Sequence, residues 1–253
     1  MNAGPRDWDA DTYDRVSDPQ FEWGMEVLDR LELAGDESVI DAGCGSGRVT
    51  ERLLDRLPNG RVLAVDGSPS MLAKARERLG DRVAYLQADL SELEVAERVD
   101  VLFSTATFHW IPDHDVLFAR VREALVAGGR LQAQCGGAGN VARLGQAIGT
   151  VAKRPEFAPH YEQMPAMWNF AGAEQTEERL RRAGFSNARC WLEPKPLEPE
   201  HARDFLRTVT LGPHLARLPS ELKDPFIDAV LAESPEPLRL DYVRLNLEAR
   251  SPV

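Results

Sequence analysis

The chain is short of cysteine, histidine and basic charge, and it contains no long apolar run. Each shortage excludes something. Three cysteines in 253 residues, at positions 44, 135 and 190, are too few and too scattered for a disulfide framework, and no Cys-x-x-Cys pair offers a zinc site. His109 and His114 are separated by Pro112 and do not form a helical ligand pair, so no metal is expected. Lysine and arginine number 30 against 41 acids, a net charge of −11. The basic residues are interspersed with acids, as in Arg76-Glu77-Arg78 and Arg120-Val121-Arg122-Glu123, so they make no stripe for a phosphate backbone and nucleic acid is not an expected partner. No stretch reaches the roughly 20 apolar residues that cross a bilayer, and Met1–Trp8 has no signal-peptide core. The expectation is a cytoplasmic monomer or homodimer without a membrane partner.

What is present is a strand-and-helix alternation. The run Val39-Ile40-Asp41-Ala42 is a short apolar strand ending beside an acid; Gly43, Gly45 and Gly47 follow, and then the helical pattern Arg48–Leu57. Such a loop brings bare backbone and the free N–H groups of a helix start up to a ligand. Strand Arg61–Val65 ends at Asp66, and Pro69 opens helix Ser70–Leu79. Strand Val83–Gln87 ends at Asp89. Strand Val99–Ser104 runs into a loop at Thr105–Trp110, followed by helix Asp113–Val126 and strand Arg130–Cys135. Alternation of this kind predicts an α/β fold with a doubly wound, mostly parallel sheet covered on both faces.

The flanks differ. Residues 1–35 form an N-terminal helical flank, with a helix over Gln20–Leu33, and 36–136 the core. Residues 137–172 read as a cap insertion rich in aromatics and methionine. A core helix and strand occupy 173–193, a second, helical cap 194–238, and a final strand 239–253, which brings the sheet to seven strands.

A dinucleotide loop needs Gly-x-Gly-x-x-Gly, which would place glycine at 48; Arg48 stands there instead. The pattern Asp-x-Gly-x-Gly-x-Gly with acids at the next two strand ends, Asp66 and Asp89, resembles the class I S-adenosylmethionine-dependent methyltransferases, with their Rossmann-like fold. That resemblance implies S-adenosylmethionine as cofactor. It would lie on Gly43, Gly45 and Gly47, with Asp41 organising the loop or facing its amino group. Asp66, Gly67 and Ser68 would meet the ribose, Met71 one adenine face, Asp89 and Leu90 the adenine edge, and Ser104 the end of the fourth strand. Asp66 and Asp89 have a plainer reading as helix caps, since Ser68-Pro69 and Ser91-Glu92 follow them.

The stretch His109-Trp110-Ile111-Pro112-Asp113-His114 is similar to the trans-aconitate methyltransferase-like small-molecule subfamily, which also carries an N-terminal Trp and Tyr like Trp8 and Tyr13. The acceptor is then a small organic molecule, bound by Trp8, Tyr13, His109, Trp110, His160, Tyr161 and Trp168. The first expectation is O-methylation of a carboxylate or hydroxyl. The alternatives are N- or C-methylation of a secondary metabolite, or a protein that binds the cofactor without turnover. His109 reads either as a general base or as a pocket-lining histidine held by a hydrogen bond; an ionised carboxylate would need no base. For a polyanionic acceptor, Arg143, Lys153 and Arg154 are the cationic candidates. The aromatics of 157–170 read equally as a lid or as a satellite core.

Overall fold

The computed structural model describes residues 17–162 and 167–253. Seven strands form one sheet in the order β3-β2-β1-β4-β5-β7-β6. They are β1 Ser38–Ala42, β2 Arg61–Asp66, β3 Ala84–Gln87, β4 Val99–Thr105, β5 Leu125–Gly136, β6 Ser186–Pro194 and β7 Val243–Arg250. β1 to β5 pair in parallel, whereas β7 runs antiparallel between β5 and β6.

Side chains alternate across this sheet. Val39, Val101 and Phe103 face a core built with helices α1 (Asp18–Asp29), α2 (Arg48–Asp55) and α3 (Pro69–Leu79), through Val27, Leu53 and Leu72. Ile40 and Leu102 face the opposite core, closed by α4 (His114–Ala124). Phe118 and Val121 of α4 belong to that core, as does Leu180 from later in the chain. Two buried faces explain why β1 is buried at every position.

The helix read as Asp113–Val126 ends at Ala124, because Leu125 already pairs with Val99 as the first residue of β5. Asp113 caps α4 by accepting the amide hydrogens of Asp115 and Val116. The loop read at 105–110 contains a 3-10 turn over Phe108–Trp110.

The two cap segments meet in a third core. It joins α5 (Ala142–Val151) to the helical stretch after β6, with Phe157, Phe226 and Leu240 among its members. α6 (Ala173–Arg182) lies between the caps in sequence and returns to the main sheet. The second cap consists of α7 (Ala202–Phe205), a π-helical turn (Leu206–Thr210), α8 (Gly212–Leu215) and α9 (Ser220–Ala232). It is tied to the sheet by an antiparallel bridge between Leu197 and Leu240, so the extended pattern read at 239–249 starts as a bridge and becomes a strand only at Val243. No helix among the described residues is long and apolar enough to cross a membrane.

Candidate active site

In a parallel sheet the loops at the strand C-termini open into one crevice. Here they are the glycine loop after β1, the Asp66–Ser68 turn, the Asp89 turn and the segment after β4. The three loop glycines have different roles. Gly43 (φ +81°) lies against Thr107: a Cβ there would come within 2.0 Å of Thr107 Oγ1. Gly47 (φ +83°) lets α2 start close to α3, where a Cβ would meet Leu79 Cδ1 at 2.9 Å. Only at Gly45 would a Cβ meet nothing within 4 Å, so this is the position where the loop backbone faces open space.

Asp66 closes that space from β2. Its Oδ2 accepts the Gly45 N–H at 2.8 Å and its Oδ1 accepts the Ser68 N–H at 2.8 Å. Ser68 in turn caps α3 by accepting the Met71 N–H at 3.3 Å, and both side chains are buried. Asp41 lies beneath, buried, accepting a 2.6 Å hydrogen bond from Thr50 Oγ1. Burial first, and then the neighbouring Asp66 charge, push its carboxyl up to about 7 against the pull of Thr50. Bare backbone at Gly45 beside the Asp66 carboxylate fits a cofactor with a cationic sulfonium and ammonium group.

Asp89 does cap a short helix: its Oδ1 accepts from both the N–H and the hydroxyl of Ser91, opening the turn Leu90–Glu92. The Leu90 side chain is core. Ser104 is buried and donates to the Ala42 carbonyl at 2.6 Å, locking the ends of β4 and β1 together.

A cleft open to solvent, enclosing about 50 Å³, lies beyond the β4 segment. Ala106, in left-handed conformation (φ +56°), turns the chain into it, and His109 and Trp110 stand in its wall. Trp168 and Phe170 of the first cap complete an aromatic side, stacked at 5.4 Å and 16°. Gln20 of α1, Thr210 of the π-helical turn, and Tyr242 with Arg244 at the start of β7 also line it.

His109 is buried, and its Nδ1 accepts the Gly136 N–H at 3.2 Å. An imidazole nitrogen that accepts carries no proton, so in the neutral ring the proton is on Nε2. Burial, followed by the positive charge of Arg244 and then of His114, holds its pKa well below the usual imidazole value. Arg244 is itself buried, donates from Nε to Gln134 Oε1 at 3.2 Å and lies 5.0 Å over the Trp23 ring. Gln134 is held in turn through Asn246, whose Oδ1 also accepts from Arg30, the residue that follows α1, at 2.5 Å.

Of the sequence-derived acceptor residues, His109, Trp110 and Trp168 come together here. Tyr161 does not: it packs against Phe226 at 5.4 Å and donates to the His214 carbonyl at 3.1 Å, and His160 is likewise outside the cleft wall. Trp8 and Tyr13 lie outside the described residues. Arg143 and Lys153 are exposed, and Arg154 pairs with Glu233 at 2.6 Å. Among the described lining residues the cationic one is Arg244, which sequence reading missed. In sequence it is one of the polar positions of an alternating strand, with Asn246, Glu248 and Arg250, and nothing sets it apart from them.

A family model described as a methyltransferase domain matches residues 39–129. The trans-aconitate 2-methyltransferase of Methylobacterium nodulans is 32% identical to this chain, over 96% of it and 98% of its own length. That of Azoarcus sp. is 37% identical over 50% of each chain, so there the match spans half of the relative. Among solved structures, Haemonchus contortus phosphoethanolamine N-methyltransferase 2 bound to S-adenosyl-L-methionine shares the fold. Its TM-score is 0.60 at 22% identity, covering 96% of this chain and 56% of that one. A putative methyltransferase from Bacillus halodurans gives 0.62 at 19% identity, over 91% and 99%. The chain belongs to the class I S-adenosylmethionine-dependent methyltransferases, in their trans-aconitate methyltransferase-like branch, and its cofactor is S-adenosylmethionine.

Proposed function

We propose that this enzyme O-methylates the carboxylate of a small organic acid held in the cleft beside His109 and Arg244. The observation that carries this reading is the hydrogen bond from Gly136 N–H to His109 Nδ1. It commits the one imidazole of the wall to a donor role at Nε2, and no Asp or Glu is among the described residues lining the cleft. A hydroxyl or ammonium acceptor must lose a proton to become nucleophilic; a carboxylate is already ionised at neutral pH. The positive charge of Arg244 in the wall favours a carboxylate over a neutral group there. The trans-aconitate 2-methyltransferase named above is a relative whose name states a carboxylic-acid substrate.

The cofactor would lie on the Gly45 backbone, with Asp66 at its ribose, Asp89 Oδ2 at its adenine edge, Met71 against the ring and Asp41 near its cationic end. Bound there, it supplies an electrophilic methyl whose transfer to a carboxylate oxygen leaves the bonding pair on sulfur, cancels two opposite charges and moves no proton. The chain's own part is to orient and to exclude water. His109 Nε2 holds the carboxylate in the field of Arg244, and Trp110, Trp168 and Phe170 shield it. Alignment of this kind can account for about 7–11 kcal/mol of a barrier at most.

The test is transfer of label from methyl-labelled cofactor to matched acids, alcohols and amines of the same carbon skeleton. Label on the acids alone is expected. Label on the alcohols or amines, or on none of the three, would contradict the reading.

A further inference from the structure

Carboxyl methylation gives the acceptor one donor in the cleft, His109 Nε2, and the wall carries a second close to it. Asn140 is buried in the turn between β5 and α5 and lines the cleft. Its backbone N–H donates to the Gly137 carbonyl at 2.9 Å, and its Oδ1 accepts the Val243 N–H at 2.9 Å, where β7 begins. An N–H is accepted by the amide oxygen and not by the amide nitrogen, so this bond settles which way the side chain is turned. It uses the oxygen alone. Nδ2 donates to no described residue, and with Asn140 in the cleft wall its N–H bonds are left for a ligand.

Gly136 brings this amide up to His109. Its N–H fixes His109 Nδ1 at 3.2 Å, and its bare Cα makes room for the amide: a Cβ there would come within 2.9 Å of Asn140 Nδ2 and 2.7 Å of Phe170 Cε1. One glycine at the end of β5 therefore sets two neutral donor side chains against itself, with an aromatic ring beside them.

We propose that Asn140 is an acceptor-binding residue, whose Nδ2 donates to the acceptor's carboxylate alongside His109 Nε2. This rests on the carboxyl-methylation reading above. A carboxylate has about four lone-pair sites on its two oxygens, so two donors leave lone pairs free to attack the methyl. The methyl ester formed is neutral, and hydrogen bonds to it are about half as strong as those to the carboxylate, which favours release. Because negative charge on the acceptor falls along the reaction, these bonds are strongest before it. Losing one is therefore expected to appear in KM rather than in kcat.

Asn140→Asp separates this role from the structural one, since a carboxylate still accepts from Val243 but puts negative charge where the donor was. Wild type and variant are assayed on trans-aconitate and 4-hydroxycinnamate with methyl-labelled cofactor. At pH 8, KM is expected to rise at least about 30-fold, with kcat within about threefold and S-adenosylhomocysteine affinity within about twofold. Lowering the pH to 5.5 should return part of that loss relative to wild type, because the protonated carboxyl of the variant donates again. Gly136→Ala, whose methyl displaces the amide nitrogen and leaves the Val243 bond in place, should raise KM about tenfold, and it supplies the reading if Asn140→Asp does not fold. An unchanged KM in either folded variant, or a loss in Asn140→Asp that low pH leaves untouched, overturns the proposal while carboxyl methylation stands. Ester from neither acid in the wild type overturns the underlying reading.

Discussion

His109 Nδ1 takes the amide hydrogen of Gly136 from 3.2 Å, across the gap between the β4 segment and the end of β5. The ring is thereby fixed as a neutral donor at Nε2. His109→Gln keeps a donor near that place and removes any base. The expected loss in kcat is within about tenfold, whereas a general base contributes about 100- to 10,000-fold. The rate should also show no rise with pH through the imidazole range.

The same burial links His109 to stability. Its folded-state pKa lies well below 6.5, so below that pH the unfolded chain takes up a proton that the folded chain refuses. Its contribution is therefore present above about 6.5 and is lost as pH falls further. Thermal denaturation from pH 7 to pH 5 should show wild type losing more stability than His109→Gln. Equal losses would mean that His109 is not held neutral.

Asp41 has the opposite sign. Its carboxyl is raised from 3.8 to about 7, so between those values the folded chain holds a proton that the unfolded chain has released. Stability from this group therefore falls as pH rises from about 4 to about 7, and the whole cost is felt above 7. Asp41→Asn, which never ionises and still accepts from Thr50, should be more stable than wild type at pH 8 by about 2–4 kcal/mol, and no more stable near pH 4. Denaturant titrations of the ligand-free protein at the two pH values check this.

Gly43 and Gly45 should respond differently to alanine. Gly43→Ala drives a methyl into Thr107 and is expected to cost several kcal/mol, of which Thr107→Gly restores a part. Gly45→Ala has room for its methyl and should cost only about 1–2 kcal/mol of left-handed strain, while weakening S-adenosylhomocysteine binding at least tenfold. Melting curves alongside calorimetric titration separate the two effects.

Asp66→Ala removes the acceptor for the Gly45 and Ser68 amides together. S-adenosylhomocysteine affinity is expected to fall about 10- to 100-fold, consistent with loss of one or two charge-assisted hydrogen bonds. An unchanged affinity in calorimetry would remove Asp66 from the cofactor site.

Much of the core was legible in sequence for local reasons. Glycines at 43, 45 and 47 and acids at 66 and 89 sit at strand ends, and strand ends follow from short apolar runs and the helix starts behind them. The division of labour among the glycines was not legible, because Thr107 and Leu79 reach Gly43 and Gly47 only through sheet and helix packing. Arg244 was hidden for the same reason: its partners Gln134 and Trp23 are 110 and 221 positions away in the chain. The aromatic cap segment looked uniform in sequence, yet Phe157 and Tyr161 turn to Phe226 while Trp168 and Phe170 turn to the cleft. Composition cannot separate two faces of an irregular segment, since no periodicity marks them.

The central claim is that the methyl goes to a carboxylate oxygen without a base. Its most direct measurement is the chemical lability of the labelled product. Brief treatment with alkali should release the label as methanol and regenerate the acid, as a methyl ester requires. Label that survives alkali, as it would on carbon, nitrogen or an ether oxygen, would contradict the account.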